Sequence, residues 1–467
     1  MPLTRAAFRL FFGQRLATHA GDLKVEGTRA PVTVRRDRYG VPHVDSACLL
    51  DAWFTLGFCQ AQDRMGQLEF IVRVVRGTLA EVVGQEALTV DRLARRVGFL
   101  RAGAAQLALH RPEERDQIDA FVAGINQGLL RGAPRASLEH ALLRRPPTPW
   151  TAQDVQGYLV FYCFVLAANW DMELLRLKVL ELDGEQALKA LDPSYPEGLP
   201  VTSPPGEAAH NAVDHLAHDL ALLQKFTGPG AASNAWAVAP GRCASGRPML
   251  ANDLHLGPGV PNLSYLTRLR WPGGGVAGAS VVGLPMVAPG HNGHAAWGIT
   301  AAHADNTDLF LEEIGPDGRS VREGDAFAGC QVLQEEIKVK GEAAVVEQVL
   351  ITPRGPIISP ALVDPPLPGQ ANALSVSASF LQERPGTGLL AVHRARSFAE
   401  CHELFRAAST SATTVTYADV TGKIGWFLAV NVPRRKAGFG NLPLPGWREE
   451  CGWQDEPVPF DQLPRVE

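Results

Sequence analysis

Apolar positions change their rhythm near the middle of the chain. In the first half they recur at helical spacing. From Ser46 to about Gly77 the pattern is helical after a short stretch of strand alternation and turn residues, Ala30 to Val44. Pro112, followed by Glu113 and Glu114, opens a second helix, whose Ile118, Phe121, Val122, Ile125 and Leu129 fall on one face. Thr151 to Asp154 reads as a capping box and predicts a helix running to Leu182. Beyond residue 232 the rhythm becomes short β runs separated by Gly and Pro. They are Trp236–Ala239, Ala279–Val287, Ala296–Ala301, Glu336–Val339, Val345–Thr352, Thr413–Ala418 and Ile424–Val430. Between the halves lies a Pro-, Gly- and Ser-rich stretch with one short helical patch, His215 to Lys225. The pattern predicts a helix-rich region over 1–190, a connector over 191–232 and a strand-rich region over 233–467. That order of elements is α+β.

Composition narrows the function. The chain has 467 residues and a formal net charge of -5, which gives a polyanion nothing to bind and argues against nucleic acid. The seven cysteines are scattered, odd in number and contain no Cys-x-x-Cys, so neither a zinc ribbon nor a redox pair is indicated. The apolar stretch Tyr158 to Ala168 is far shorter than the roughly 20 residues that span a bilayer, and no membrane span is predicted. The N-terminus carries basic residues but no apolar run of signal-peptide length.

One position combines these signals with chemistry. The connector ends in small residues, Gly228 to Ala232, and abuts Ser233, which starts a strand. A chain cut before Ser233 would give that residue a free α-amine, of reference pKa about 7.7–8.0. Such an amine can serve as general base for the hydroxyl of its own residue. The same hydroxyl can first attack the Ala232 carbonyl and make the cut, and small residues before it permit the turn this requires.

The motif Ser-Asn-Ala-Trp-Ala-Val at 233–238, followed by Gly241-Arg and the run from Ser245 to His255, resembles the start of the β-chain in the penicillin acylase family. Further likenesses fall in order along the chain. Arg38 to His43, Ala61 to Arg64, Arg76 to Glu81 and Asp91 to Arg95 resemble the family's α-chain. Gly290 to Gly293, Trp297 to Thr300, Tyr417 to Val420 and Leu444 to Trp447 resemble its β-chain. The resemblance implies a four-layer αββα N-terminal-nucleophile sandwich. It also implies self-cleavage into α and β chains that stay associated, and hydrolysis of a small acylated amine by way of an acyl-enzyme. The resemblance implies no organic cofactor and a periplasmic or secreted location, with a cytoplasmic one the alternative because no signal-peptide run is evident.

Roles carried over by position make Ser233 the nucleophile and place His255 beside it, as in the acyl-homoserine-lactone and cephalosporin acylase branch. The backbone N–H of Ala301 becomes an oxyanion donor, and Arg435 an orienting basic residue. One calcium ion is implied at Glu173, Asp305 and Asp308, with the Thr307 carbonyl as a further ligand. Two departures stand out. The family's second oxyanion donor, an Asn, is replaced here by Thr414, which together with Thr413 offers only hydroxyls. Family β-chains also continue past the point corresponding to Glu467, so a truncated sandwich is expected. The alternative reading is an inactive or incomplete homologue with a binding or structural role. His255, His291, His294 and His303 lack zinc-protease spacing, and no Gly-x-Ser-x-Gly elbow occurs.

Overall fold

The computed structural model describes residues 12–167, 170–191, 232–256, 259–359, 373–385, 388–408, 411–438 and 440–467. The connector expected over 191–232, apart from its two end residues, and the helical patch at 215–225 lie outside the described residues.

The first half is helical, as its periodicity predicts. Strands β1 (Thr33–Arg36) and β2 (Pro42–Asp45) precede helix α1 (Leu49–Arg76). Then come α2 (Leu88–Val97), α3 (Phe99–Leu107), α4 (Pro112–Arg131), α5 (Ala152–Leu166) and α6 (Trp170–Leu191). Helices α1 and α4 touch at the backbone: a Cβ on Gly124 would sit 1.8 Å from the Phe54 carbonyl oxygen, and one on Gly57 2.2 Å from that of Phe121. Only glycine permits that approach. Ile118, Phe121, Val122 and Ile125 are buried on α4, while Leu129 is half-buried. The capping box at Thr151 and Asp154 forms as predicted. The single long helix expected from there to Leu182 is instead two, because α5 ends at Leu166 and α6 starts at Trp170.

The second half supplies β3 (Ala232–Val238), β4 (Met249–His255), β5 (Ser264–Trp271), β6 (Gly274–Val281), β7 (Gly290–His291), β8 (Ala295–Ala301) and β9 (Thr307–Glu312). These lead into β10 (Ser320–Glu323), β11 (Ala326–Gly329), β12 (Gln331–Ile337), β13 (Val345–Thr352), β14 (Gly355–Pro356) and β15 (Ala373–Ala378). Helix α7 (Phe398–Leu404) precedes β16 (Thr413–Asp419), β17 (Ile424–Ala429), β18 (Leu444–Pro445) and β19 (Arg465–Val466). The main sheet runs β1-β2-β5-β6-β7-β8-β16-β17-β19. All its pairs are antiparallel except β2 with β5. The first half thus contributes two strands to a sheet built mainly by the second. The α+β class holds.

The run expected to continue from Ala279 to Val287 leaves the strand after Val281. Gly283 turns there at φ 90°, and a Cβ on it would lie 3.0 Å from the Trp150 ring and 3.1 Å from Tyr158. Gln60 of α1 closes this corner, its amide donating to Ser280 Oγ (2.9 Å) and accepting from the Gly283 N–H (2.8 Å). One hydrophobic core joins α1, α4 and α5 to the main sheet through Trp53, Phe121, Phe164, Trp297 and Tyr417.

Candidate active site

Ser233 sits on a two-stranded ladder, β3 with β4, that lies beside β8 rather than within the main sheet. Ser233 is opposite Leu254, and Ala235 is opposite Asn252. Directly paired residues share a face, and neighbours alternate. One ladder face therefore carries Ser233, Ala235, Asn252 and Leu254. The other carries Asn234, Trp236, Met249, Asp253 and His255, all exposed.

The inner face meets the sheet at Gly298, where an added Cβ would lie 3.2 Å from the Cβ atoms of Ala235 and Asn252. Asn252 fastens the two layers. Its amide donates to the Asn234 carbonyl (2.8 Å) and the Ile299 carbonyl (3.1 Å), and accepts from the Ile299 N–H (2.8 Å). Asn252 is not among the site residues expected from the sequence. A lone amide on the inward face of an otherwise alternating strand is the signal that marks it.

Ser233 opens onto a cavity of about 60 Å³ between α5 and the sheet. Leu159, Tyr162, Met286, Ile299, Leu389 and Ala301 contribute to its wall, with Thr300, Ser411, Ala412 and Thr413 at the β8–β16 end. Among the described residues that wall contains no Asp, Glu, Lys, Arg or His. Its titratable groups are Tyr162 and Cys163. Burial, then the neighbouring Cys163, pushes the Tyr162 phenol up to about 12, and burial pushes the Cys163 thiol up to about 12. At neutral pH the wall bears no charge.

The expected site residues divide into groups. Ser233 and Ala301 line one cavity. Thr413 joins them, but its hydroxyl is committed to the Ser411 carbonyl at 2.9 Å. Thr414 pairs with Thr300 and shares its ladder-facing side, yet is not part of the cavity wall. His255 is next to the Ser233–Leu254 pair but leaves by the outer face, with Nε2 2.8 Å from Asp253 Oδ2 and 3.4 Å from Asn234 Nδ2.

Arg435 is in neither place. It joins Asp305, Asp308 and Glu173, the residues expected to hold calcium. Its Nη2 is 2.6 Å from Asp305 Oδ2, and its Nε donates to both oxygens of Asp308 at 2.8 and 3.0 Å. Burial, then Asp308 and Asp305, pushes the Glu173 carboxyl well above its usual range. The expected carboxylates do converge, but around a guanidinium. Among the described residues, no group of three or more His, Cys, Asp or Glu side chains is arranged to hold a metal.

Ser233, the second residue of β3, thus faces an uncharged cavity that also takes in Ala301 at the end of β8. The sequence profile of the penicillin amidase family matches residues 31–467, and the chain belongs to that family. It is 33% identical to penicillin acylase 2 proenzyme of Pseudomonas sp. (strain SE83), over 96% of this chain and 58% of that protein. It is 30% identical to the acyl-homoserine lactone acylase QuiP of Pseudomonas aeruginosa, over 97% of this chain and 56% of that one. Among solved structures it is similar to the thermostable penicillin G acylase of Alcaligenes faecalis, at 25% identity and a TM-score of 0.42 over 50% of this chain and 41% of that one. The chain thus spans under three-fifths of the length of these curated relatives.

Proposed function

We propose that the protein is an amide hydrolase that releases an acyl group from an amine, with Ser233 as an N-terminal nucleophile freed by self-cleavage. The observation that carries this reading is the uncharged wall around Ser233. A serine hydroxyl needs a base. The wall has no carboxylate, imidazole or side-chain amine, and burial keeps Tyr162 and Cys163 protonated, so the α-amine created by a cut after Ala232 is the base within reach. The names of the relatives, one of them a proenzyme and others acylases, support the same reading.

The steps balance. Ser233 Oγ attacks the Ala232 carbonyl carbon, the peptide nitrogen leaves as the new α-amine, and water hydrolyses the resulting ester. In the mature site the α-amine takes the hydroxyl proton as Oγ attacks the substrate carbonyl. The oxyanion lies towards the N–H of Ala301. Collapse gives the acyl-serine ester, the departing amine carries off the proton, and water then releases the acid. One fixed backbone donor contributes roughly 3–4 kcal/mol to such a barrier. The cavity wall suits an apolar acyl chain.

A second reading, an inactive homologue that binds an acyl ligand, is favoured by one observation. Neither threonine expected to replace the second oxyanion donor offers one there, because the Thr413 hydroxyl donates to the Ser411 carbonyl and Thr414 lies outside the cavity wall. N-terminal sequencing with intact-mass measurement separates the two. The enzyme reading expects a new N-terminus of Ser-Asn-Ala-Trp in the wild type and a single chain in Ser233→Ala. A wild type that stays uncut and releases no acid from acylated amines would defeat it.

A further inference from the structure

The acidic cluster behind β9 already contains its cation. Glu173 in the first turn of α6 and Asp308 on β9 are fully buried, and Asp305 lies just before that strand. Arg435 arrives from a segment that bridges to Trp453. Its guanidinium takes both oxygens of Asp308 and pairs with Asp305, while the Trp453 indole N–H donates to Asp308. Glu173 accepts from the Leu309 N–H at 3.1 Å, which joins α6 to β9. A planar fork matched to a carboxylate is what arginine supplies and a bare ion does not.

Space is closed as well as charge. Gly440 passes over the cluster at φ 70°, and a Cβ there would lie 2.4 Å from Asp305 Oδ2, 2.4 Å from Asp308 Oδ1 and 2.5 Å from Arg435 Nη2. Calcium needs six to eight oxygens at 2.3–2.6 Å. Here both oxygens of Asp308 face the guanidinium, so the residues present do not fit that ion. Two oxygens remain, Glu173 Oε1 and Thr307 Oγ1, both buried without a hydrogen-bond partner among the described residues.

We propose that Arg435 occupies the place of a divalent cation in this cluster, so that the joint between α6 and β9 holds without metal. Removing the guanidinium would uncover Asp305, Asp308, Thr307 and Glu173 as an oxygen set able to take calcium. The inference rests on this cluster alone and stands whether or not Ser233 is a nucleophile.

The test is thermal melting of the full chain in chelator and in millimolar CaCl2, with metal content measured after desalting. The wild type is expected to melt at one temperature in both and to retain no stoichiometric calcium. Arg435→Met is expected to melt roughly 3–5 °C lower in chelator and to recover part of that loss in CaCl2. MgCl2, whose ion demands tighter octahedral geometry, should recover less. A wild type that carries calcium or loses stability in chelator would overturn the proposal. So would an Arg435→Met protein that melts low and ignores calcium, since the arginine would then be a simple structural anchor. If Arg435→Met cannot be purified folded, the wild-type measurements and the calcium response of Arg435→Lys decide the matter. The lysine keeps the charge, loses the fork and is expected to stay indifferent to calcium.

Discussion

The side chain of Asn252 pairs with the backbone of Ile299 as a neighbouring strand would, accepting from its N–H and donating to its carbonyl. A third bond, to the Asn234 carbonyl, keeps the amide in register with β3. This side chain therefore fastens the ladder that carries Ser233 to β8. Asn252→Ala should cost about 1–2 kcal/mol, because partly buried main-chain groups of Ile299 lose their partners. It should also slow any cut before Ser233 by at least about tenfold. Urea denaturation and a time course of chain cleavage check both. Loss of stability with an unchanged cleavage rate would show that the joint does not position Ser233.

Glu69 gives a pH dependence. It is buried and accepts from Arg73 Nε (2.6 Å) and from the N–H and hydroxyl of Thr148 (2.8 Å each), with His140 Nε2 at 3.3 Å. Burial alone would raise its pKa. The hydrogen bonds from His140, Thr148 and Arg73 together outweigh it and hold the carboxyl down to about 2. In the unfolded chain a glutamate titrates near 4.3. Its contribution is then complete above that value and fades as pH falls towards about 2. Glu69→Gln should be less stable than wild type by about 2–4 kcal/mol at pH 7, and the gap should narrow at pH 3. Denaturant melts at the two pH values test this, and a gap that widens in acid would contradict it.

The cavity beside Ser233 is small, and Ala288 is part of its wall. Ala288→Leu would place three more carbons there, at an overpacking cost of about 1–3 kcal/mol. If acyl chains enter this space, the ratio of kcat/KM for a long chain to that for acetyl should fall roughly tenfold or more. Chain-length profiles of the two proteins decide it. An unchanged profile would place the acyl group elsewhere.

Thr414 gives a prediction of no effect. It faces the ladder opposite Thr300 but does not reach the cavity wall. Thr414→Asn should leave acid release within about threefold, less than ~0.7 kcal/mol in the barrier. A gain of a hundredfold would show that the amide reaches the oxyanion and that the wall rearranges in the working enzyme.

The sequence was most informative where a local rule decides the outcome. Pro112 with its acidic first turn, the Thr151–Asp154 capping box and the strand Val345–Thr352 all appear where expected. Each depends on residues a few positions apart. The break between α5 and α6 was not legible, because apolar spacing continues across it. Strand faces were half legible. The exposed set Asn234, Trp236, Asp253 and His255 follows a period of two, but which face His255 takes depends on its pairing opposite Ala232. That register is fixed by a partner strand some twenty residues away. The place of Arg435 among Glu173, Asp305 and Asp308 was the least legible part. It depends on contacts between residues more than a hundred positions apart, and a row of charges in the sequence does not say which of them is the ligand and which the ion.

Strands from both sides of Ser233 lie in the main sheet, where β2 runs parallel to β5 through His43–Arg268, Val44–Leu269 and Asp45–Arg270. While the chain is whole, bringing those strands together is an intramolecular event, favoured at any dilution. Once the chain is cut between them, the same pairing becomes a second-order reaction between two fragments. A cut molecule would hold together because its strands are already paired, but after unfolding it would have to find its other half in solution. Its recovery would then depend on concentration, and at low concentration heating would be a one-way process.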